Sequence, residues 1–336
     1  MTNKYLKKIE QIAKEINKEV TIMEVCGGHT NTIMKYGIRD ILPKNVRLIS
    51  GPGCPVCVTA QKDIDNMVAL AKSGISVASY GDMMHVPGTK GSLAKAKEQG
   101  ADVAIIYSAQ EMLKTENKNR VFFGIGFETT TPMTAYLLEH GICVYSAHKI
   151  MPPPMRAITT ETKVDGFIDP GHVSCIIGTK FWHELNVPQV ICGFKKDQLI
   201  RAVYKLLVLI KDQKNEVIND YNEVVKETGN LKARELIRKN MKLYDAEWRG
   251  LGEISKSGLE PKNDNLNAKI KYSSILRDVK SFSNKACRCG EIIKGICSPN
   301  DCPLFGKVCT PQTPMGACMV SETEGACGIA YKYKNG

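Results

Sequence analysis

Cysteine is concentrated in two places whose spacings ask for different chemistry. Seven of the thirteen cysteines fall between Cys287 and Cys327, in CRCGEIIKGICSPNDCPLFGKVCTPQTPMGACMVSETEGAC, with prolines and glycines among them. The chain has no export signal, so this density does not read as a disulfide framework; a cytosolic thiol pool would keep such pairs reduced. Metal is the better use. Zinc favours paired C-x2-C knuckles, whereas these spacings are irregular and long, as when a loop wraps a larger iron–sulfur core. Unligated structural thiols are the plainer alternative. The only C-x2-C in the chain, Cys54 and Cys57 within GPGCPVC, lies far upstream. A dithiol before a helix is placed as in thiol oxidoreductases, where the near-helix cysteine is activated and its partner resolves the disulfide. Half of a zinc site, or inert buried thiols, would use the same residues.

A further thiol, Cys26, opens CGGHT at residues 26–30, on a glycine turn between an apolar run and a helical segment. A helix N-terminus lowers a thiol pKa and favours thiolate, so Cys26 is a candidate metal ligand or nucleophile; a packed cysteine beside a capping Thr30 is the bland alternative. In GFETTTP, Glu128 precedes three threonines and can either hold a substrate or cap the helix that follows, and capping is the simpler use. The segments around His148, the prolines 152–154 and Asp169 to His172 read as locally satisfied.

These motifs follow short runs rich in β-branched residues, at 20–25, 46–50, 75–80, 103–107, 121–125, 142–145, 166–168 and 190–192. Helical periodicity lies between most of them, as at 59–73 and 131–140. The alternation predicts parallel βαβ units, whose chemistry collects at the carboxyl ends of strands. The expected architecture is two similar parallel-sheet α/β domains, at 20–119 and 120–194, plus a mainly helical third domain. That third domain takes residues 1–19 and 195–336, with a polar linker at 258–271 and cysteine-rich loops at its end.

Composition excludes several classes. Hydrophobic content of 43% and charged content of 24% are ordinary for a globular chain. The net charge of +11 is spread over helix faces with acids between the lysines, which argues against a nucleic-acid interface. The first residues carry Tyr5, Ile9, Ile12 and Ile16 at helical spacing instead of a signal peptide's apolar core, and no stretch is long enough to span a membrane. A cytoplasmic protein is expected. No phosphate-binding loop or G-x-G-x-x-G follows a strand, so a nucleotide-dependent enzyme is a weak reading.

Taken together and in order, CGGHT (26–30), GPGCPVC (51–57), GFETTTP (126–132), SAHK and PPP (146–154), DGFIDPGHVS (165–174) and the cysteine-rich tail resemble the HypD family of [NiFe]-hydrogenase maturation factors, essentially end to end. The resemblance implies two α/β domains and a third carrying a [4Fe-4S] cluster. It implies assembly of the Fe(CN)2CO unit on a scaffold shared with the partner HypC, with cyanide arriving through HypE and the hydrogenase large subunit as eventual recipient. Such a protein is a scaffold more than a turnover enzyme.

Carried over, Cys26 is the ligand of that iron, with cyanide and carbon monoxide completing its shell, and His29 stands beside it. Cys54 and Cys57 are the redox dithiol between the iron site and the distant cluster. The family's cluster cysteines are separated by fourteen, six and sixteen residues; here Cys287, Cys302 and Cys309 keep the first two spacings, but seventeen residues separate Cys309 from Cys327. Cys327, in an intact EGAC, is the fourth ligand on this reading and Cys318 its rival, while Cys289 and Cys297 are surplus. A different class remains open at this point: a thioredoxin-like disulfide oxidoreductase with a structural cluster, which leaves Cys26 without a role.

Overall fold

The computed structural model describes residues 2–334. It contains β1 (Val20–Glu24), β2 (Val46–Ser50), β3 (Val77–Tyr80), β4 (Val103–Ile106), β5 (Val121–Gly124), β6 (Val144–Ser146), β7 (His148–Lys149), β8 (Gly166–Pro170), β9 (Gln189–Cys192), β10 (Val217–Asn219), β11 (Met241–Trp248) and β12 (Gly252–Pro261). Every apolar run singled out in the sequence is a strand. All five residues of β1 are buried, as are those of β8, because parallel sheets covered on both faces need apolar side chains on both. The chain is an α/β protein.

Two of its sheets are parallel throughout. The first has the order β10-β9-β8-β1-β2, and the second the order β4-β3-β5-β6. The division into contiguous units at 20–119 and 120–194 is therefore corrected: β1 and β2 are completed by β8 and β9, and the second sheet is inserted between them. Glu24 lies in register with Ile168, and Val25 N–H donates to the Ile168 carbonyl. Local periodicity cannot reveal which distant strand a central strand pairs with, because both candidates are equally apolar.

The expected helical third domain is corrected as well. Helix α1 (Thr2–Ile16) and the helix Lys196–Lys211 lie against the first sheet, where Ile9, Ile12, Leu199, Val203 and Leu206 bury one apolar stripe on Val20, Ile22 and Val190. Residues 258–261 are no linker; β11 and β12 form an antiparallel hairpin whose second strand pairs with β7, setting Gly258 opposite Lys149. A Cβ at Gly258 would meet the Tyr244 ring at 2.4 Å, so the hairpin closes only with glycine there. The bulge between Tyr244 and Ala246 breaks the period of two, which hid β11 in the sequence.

The facing sides of both sheets, the hairpin and the cysteine-rich tail share one apolar core that includes Met23, Phe123, Phe167, Trp248, Ile292 and Met319. Removing buried volume from the first sheet's helical cover should cost far more than trimming a solvent-facing leucine. Leu206→Ala, at a fully buried position, is expected to lose about 2–5 kcal/mol in urea unfolding. Leu231→Ala, at a position 62% exposed, is expected to stay within about 0.5 kcal/mol. Equal losses at the two positions would refute the layer assignment.

Candidate functional site

Cys26 leaves β1 and stands at the N-cap position of α2 (Gly27–Lys35). Its turn is set by a backbone contact with the second motif. Gly27 N–H donates to the Gly53 carbonyl at 3.1 Å, and a Cβ on Gly53 would fall 2.1 Å from Cys26 N. Only glycine at 53 lets the GPGCPVC loop lie on the Cys26 turn. Beyond that glycine, Cys54 and Cys57 are joined as a disulfide with Cα atoms 5.2 Å apart, inside the geometric limit for a bridge. Cys57 N–H donates to Cys54 Sγ at 3.1 Å across the single turn of α3 (Pro55–Val58), and α4 (Gln61–Lys72) follows.

The third segment is the tail, which the sequence reading placed at a distance and the fold places in contact. A Cβ on Gly27 would lie 2.7 Å from Glu324 Cα, and the helix Ala326–Lys334 packs on α2. Cys318, Glu324 and Ile292 line one small cavity with Cys54 and Cys57.

Burial governs the electrostatics around Cys26. It drives the thiol pKa well up; the charges of Glu24 and Glu324 add to this, while the backbone N–H groups of His29 and Gly28 act against it. The expectation that the helix N-terminus makes Cys26 a thiolate is thus corrected: desolvation outweighs two backbone donors. Glu24 accepts from Cys26 N–H at 3.0 Å and from the Thr30 hydroxyl at 2.5 Å, and burial pushes its own pKa up to about 7. Thr30 therefore serves Glu24 and is not the cap of its helix.

His29 is fully buried, its Nε2 lies 3.7 Å from Cys192 Sγ, and its Nδ1 has no hydrogen-bond partner. Burial lowers its pKa to about 3, so the ring is neutral at physiological pH. The ring nitrogen placed against the Cys26 sulfur is His172 Nδ1, at 3.9 Å. Phe194 holds both rings, with centroids 5.1 Å from His29 and 5.2 Å from His172. His172 was read in the sequence as locally satisfied, whereas it faces Cys26; Cys192 and Phe194 were not singled out. Their one signal was position, since each follows the end of β8 or lies at the end of β9, the strands that complete the sheet on this side of β1. Asp169, fully buried with both carboxylate oxygens unpartnered, has its pKa raised well above the carboxylate range by burial.

Glu128 sits elsewhere, after β5 in the second sheet. It does not cap the helix Thr131–Glu139, whose N-cap residue is Thr130 without a side-chain bond; its Oε1 accepts from Met151 N–H at 3.0 Å and its Oε2 has no partner. Burial pushes its pKa up to about 7.

In the tail, Cys302, Cys309 and Cys327 are buried and Cys287 is half-buried. Burial pushes the Cys287 thiol up to about 12, with Cys289, Cys302 and Cys327 adding to the rise. Cys309 is raised in the same way by burial, with Cys327 and Cys302 adding to it. Cys287 and Cys309 are therefore both raised by burial beside Cys302 and Cys327, a setting a cationic cluster core would relieve. They are crowded but not gathered: among the described residues no three Cys, His, Asp or Glu side chains form a ready group for a metal ion. Cys318 is engaged otherwise, with its sulfur 2.6 Å from that of Cys289 and hydrogen-bonded contact to Cys327. The hydrogen bond from Cys318 brings the Cys289 pKa down to about 7. Cys297 lines a separate cavity beside Arg39 and Arg47.

A doubly sheeted α/β protein that folds three thiol-bearing segments onto one strand end is the class this geometry defines. The family profile described as HypD, "Hydrogenase formation hypA family", matches residues 1–334. The chain belongs to the HypD family of hydrogenase maturation factors. It is 42% identical over 346 residues to hydrogenase maturation factor HypD2 of Bradyrhizobium diazoefficiens, covering 94% of this chain and 90% of that one. It is 40% identical over 338 residues to HypD of Escherichia coli, with 94% and 90% covered. Against a putative hydrogenase expression/formation protein of Methanocaldococcus jannaschii the identity is 39% over 350 residues, covering 99% and 97%. The relatives' names favour maturation over the disulfide oxidoreductase reading. No helix among the described residues is long and apolar enough to cross a membrane.

The buried Glu128 makes stability depend on pH in a stated direction. Its proton is held more tightly in the folded chain, so folding takes up a proton between about pH 4.5 and 7 and stability falls as pH rises through that window. The loss is on the order of 3 kcal/mol. Glu128→Gln should remove this share of the slope in denaturant titrations at pH 5 and pH 7; a slope equal to the parent's would show that Glu128 ionises freely.

Proposed function

We propose that this protein is a scaffold on which the Fe(CN)2CO unit of [NiFe]-hydrogenase is assembled, with Cys26 supplying a thiolate to the iron jointly with a HypC partner and with cyanide delivered through HypE. The observation that carries the reading is the convergence at Cys26: Gly53 and the Cys54–Cys57 bridge on one side, Glu324 and Cys318 on the other, and His29 and His172 beneath. The His172 nitrogen 3.9 Å from the sulfur would orient the Cys26 thiol, and the neutral His29 at the start of the helix that Cys26 opens would stand beside the iron. Soft thiolate suits a low-spin iron carrying strong-field ligands. A bond from the sulfur to iron(II) would offset the desolvation that keeps Cys26 protonated without it.

Cys287, Cys302, Cys309 and Cys327 would hold a [4Fe-4S] cluster, which supplies single electrons when bound. The contact of the Cys318 sulfur with that of Cys289, and the intact EGAC around Cys327, support Cys327 as the fourth ligand. The Cys54–Cys57 bridge shares a small cavity with Cys318 and Glu324 of the tail and follows the loop that touches Cys26, which supports a redox role for the dithiol.

Cys26→Ser keeps the size and polarity of the side chain but removes the soft ligand. Copurified anaerobically with HypC, this variant is expected to lose both the cyanide and the carbonyl infrared bands while keeping the visible absorption of the tail cluster. Persistence of both bands would withdraw Cys26 as the iron ligand. For the cluster, Cys302→Ala, Cys309→Ala and Cys327→Ala should each bleach the brown protein and lower its content from about four irons per chain. Cys318→Ala and Cys297→Ala should retain the colour. A colourless parent that binds one zinc would overturn the cluster assignment.

A further inference from the structure

The cavity that Cys297 lines lies beside β2, the edge strand of the first sheet, with residues 47–50 of that strand in its wall. The tail loop 295–299 and the helix Ala326–Lys334 close the other side. Its volume is about 250 Å³, below the range of a drug-sized pocket and suited to a molecule of a few heavy atoms. Much of the wall is aliphatic, from Leu48, Ile292, Ile296 and Ala330. The charged side chains that line it are Arg39, Arg47 and Asp301, two cations against one anion.

Arg39 is the group in this wall that lacks a partner suited to it. It is half-buried, and its hydrogen bonds go to uncharged atoms: Nη2 donates to the Ser50 hydroxyl at 2.8 Å and Nη1 to the Met34 sulfur at 3.6 Å. Its Nε is buried with no hydrogen-bond partner. Glu24 and Asp40 act on it only through space, and the two oxygens of Glu24 are taken by Cys26 N–H and the Thr30 hydroxyl. A guanidinium drawn out of water without a hydrogen-bonded anion leaves its desolvation uncompensated. Its position is nonetheless fixed from behind, because the Ser50 oxygen that accepts from it lies 3.3 Å from the Thr30 hydroxyl bound to Glu24. A donor held in place in this way costs little to order when a ligand binds. Arg47, exposed in the same wall, supplies the second cation, while Asp301 is engaged by the N–H and hydroxyl of Ser298, each at 2.7 Å.

The chemistry of the wall selects among anions. A phosphate dianion would exceed the single positive charge left after Asp301 and would leave the aliphatic surface uncovered. A monocarboxylate with a short hydrocarbon body matches the charge, offers a planar group to the guanidinium fork and covers the rest. We propose that this cavity binds a small aliphatic monocarboxylate, with its carboxylate on Arg39, Arg47 at the mouth and its hydrocarbon against Leu48 and Ile292. Neither iron at Cys26 nor a cluster in the tail enters this assignment.

Butyrate serves as the probe, titrated calorimetrically into the full-length protein. The parent is expected to bind it with a dissociation constant on the order of millimolar or tighter, and to bind both inorganic phosphate and butyramide, which has the same shape without the charge, at least about tenfold more weakly. Arg39→Gln should abolish butyrate binding. Two changes at exposed positions leave the half-buried guanidinium in place: Arg47→Gln, and Ile296→Glu at a position 51% exposed, which sets a carboxylate at the rim. Each should weaken butyrate binding roughly tenfold. Binding unchanged in both of these variants, no butyrate binding by the parent at millimolar concentration, or butyramide bound as tightly as butyrate would overturn the proposal. Phosphate bound more tightly than butyrate would overturn the choice of a monocarboxylate.

Discussion

The arrangement depends on one close approach of backbone to backbone. Where Gly27 N–H meets the Gly53 carbonyl, there is no space for a side chain on Gly53, and the gap to Cys26 N is too small for any rotamer change to relieve. A lone thiol after β1 and a dithiol after β2 become parts of one surface because the two loops share this contact. The parallel register of β1 and β2, running from Val20 beside Val46 to Glu24 beside Ser50, delivers both loops to the same edge. The tail then closes over the pair, and Gly27 is required for the same reason: Glu324 occupies the place of its absent side chain.

Burial at this edge removes charge. Cys26, Glu24, His29, His172 and Asp169 all have pKa values moved toward their neutral forms, with desolvation the largest cause each time. Such a site favours neutral ligands or a cation that restores the thiolate, and disfavours free anions.

The sequence made the strands legible and left their neighbours hidden. Buried parallel strands are continuous apolar runs, so β1, β5, β8 and β9 stood out, and their carboxyl ends gave the places where Cys26, Glu128 and the Asp169 segment would lie. Pairing of β1 with β8 across more than a hundred residues carries no local signature, so the division into sheets was not legible, and with it the approach of His172 and Cys192 to the Cys26 turn. The β11–β12 hairpin was missed because its charged residues and its bulge imitate an amphipathic helix. The helix rule for thiols failed at Cys26 because it describes a half-exposed cysteine, and this one is 2% exposed.

The discontinuity of the first sheet has a mechanical consequence. Since β1 and β2 precede the inserted second sheet and β8 and β9 follow it, the turn bearing Cys26 is flanked by strands from both ends of the insertion. Helix α1 and the helix Lys196–Lys211 then clamp those strands from the far side through Ile9, Ile22, Val190 and Leu206, all fully buried. The thiol-bearing loops are thus the short, glycine-limited ends of a rigid layer, and the tail that covers them is joined to the layer by packing and by few backbone bonds. That asymmetry sets Cys26, Cys54 and Cys57 on the part of the fold with the most sheet structure, under a covering segment that has the least to lose by local opening.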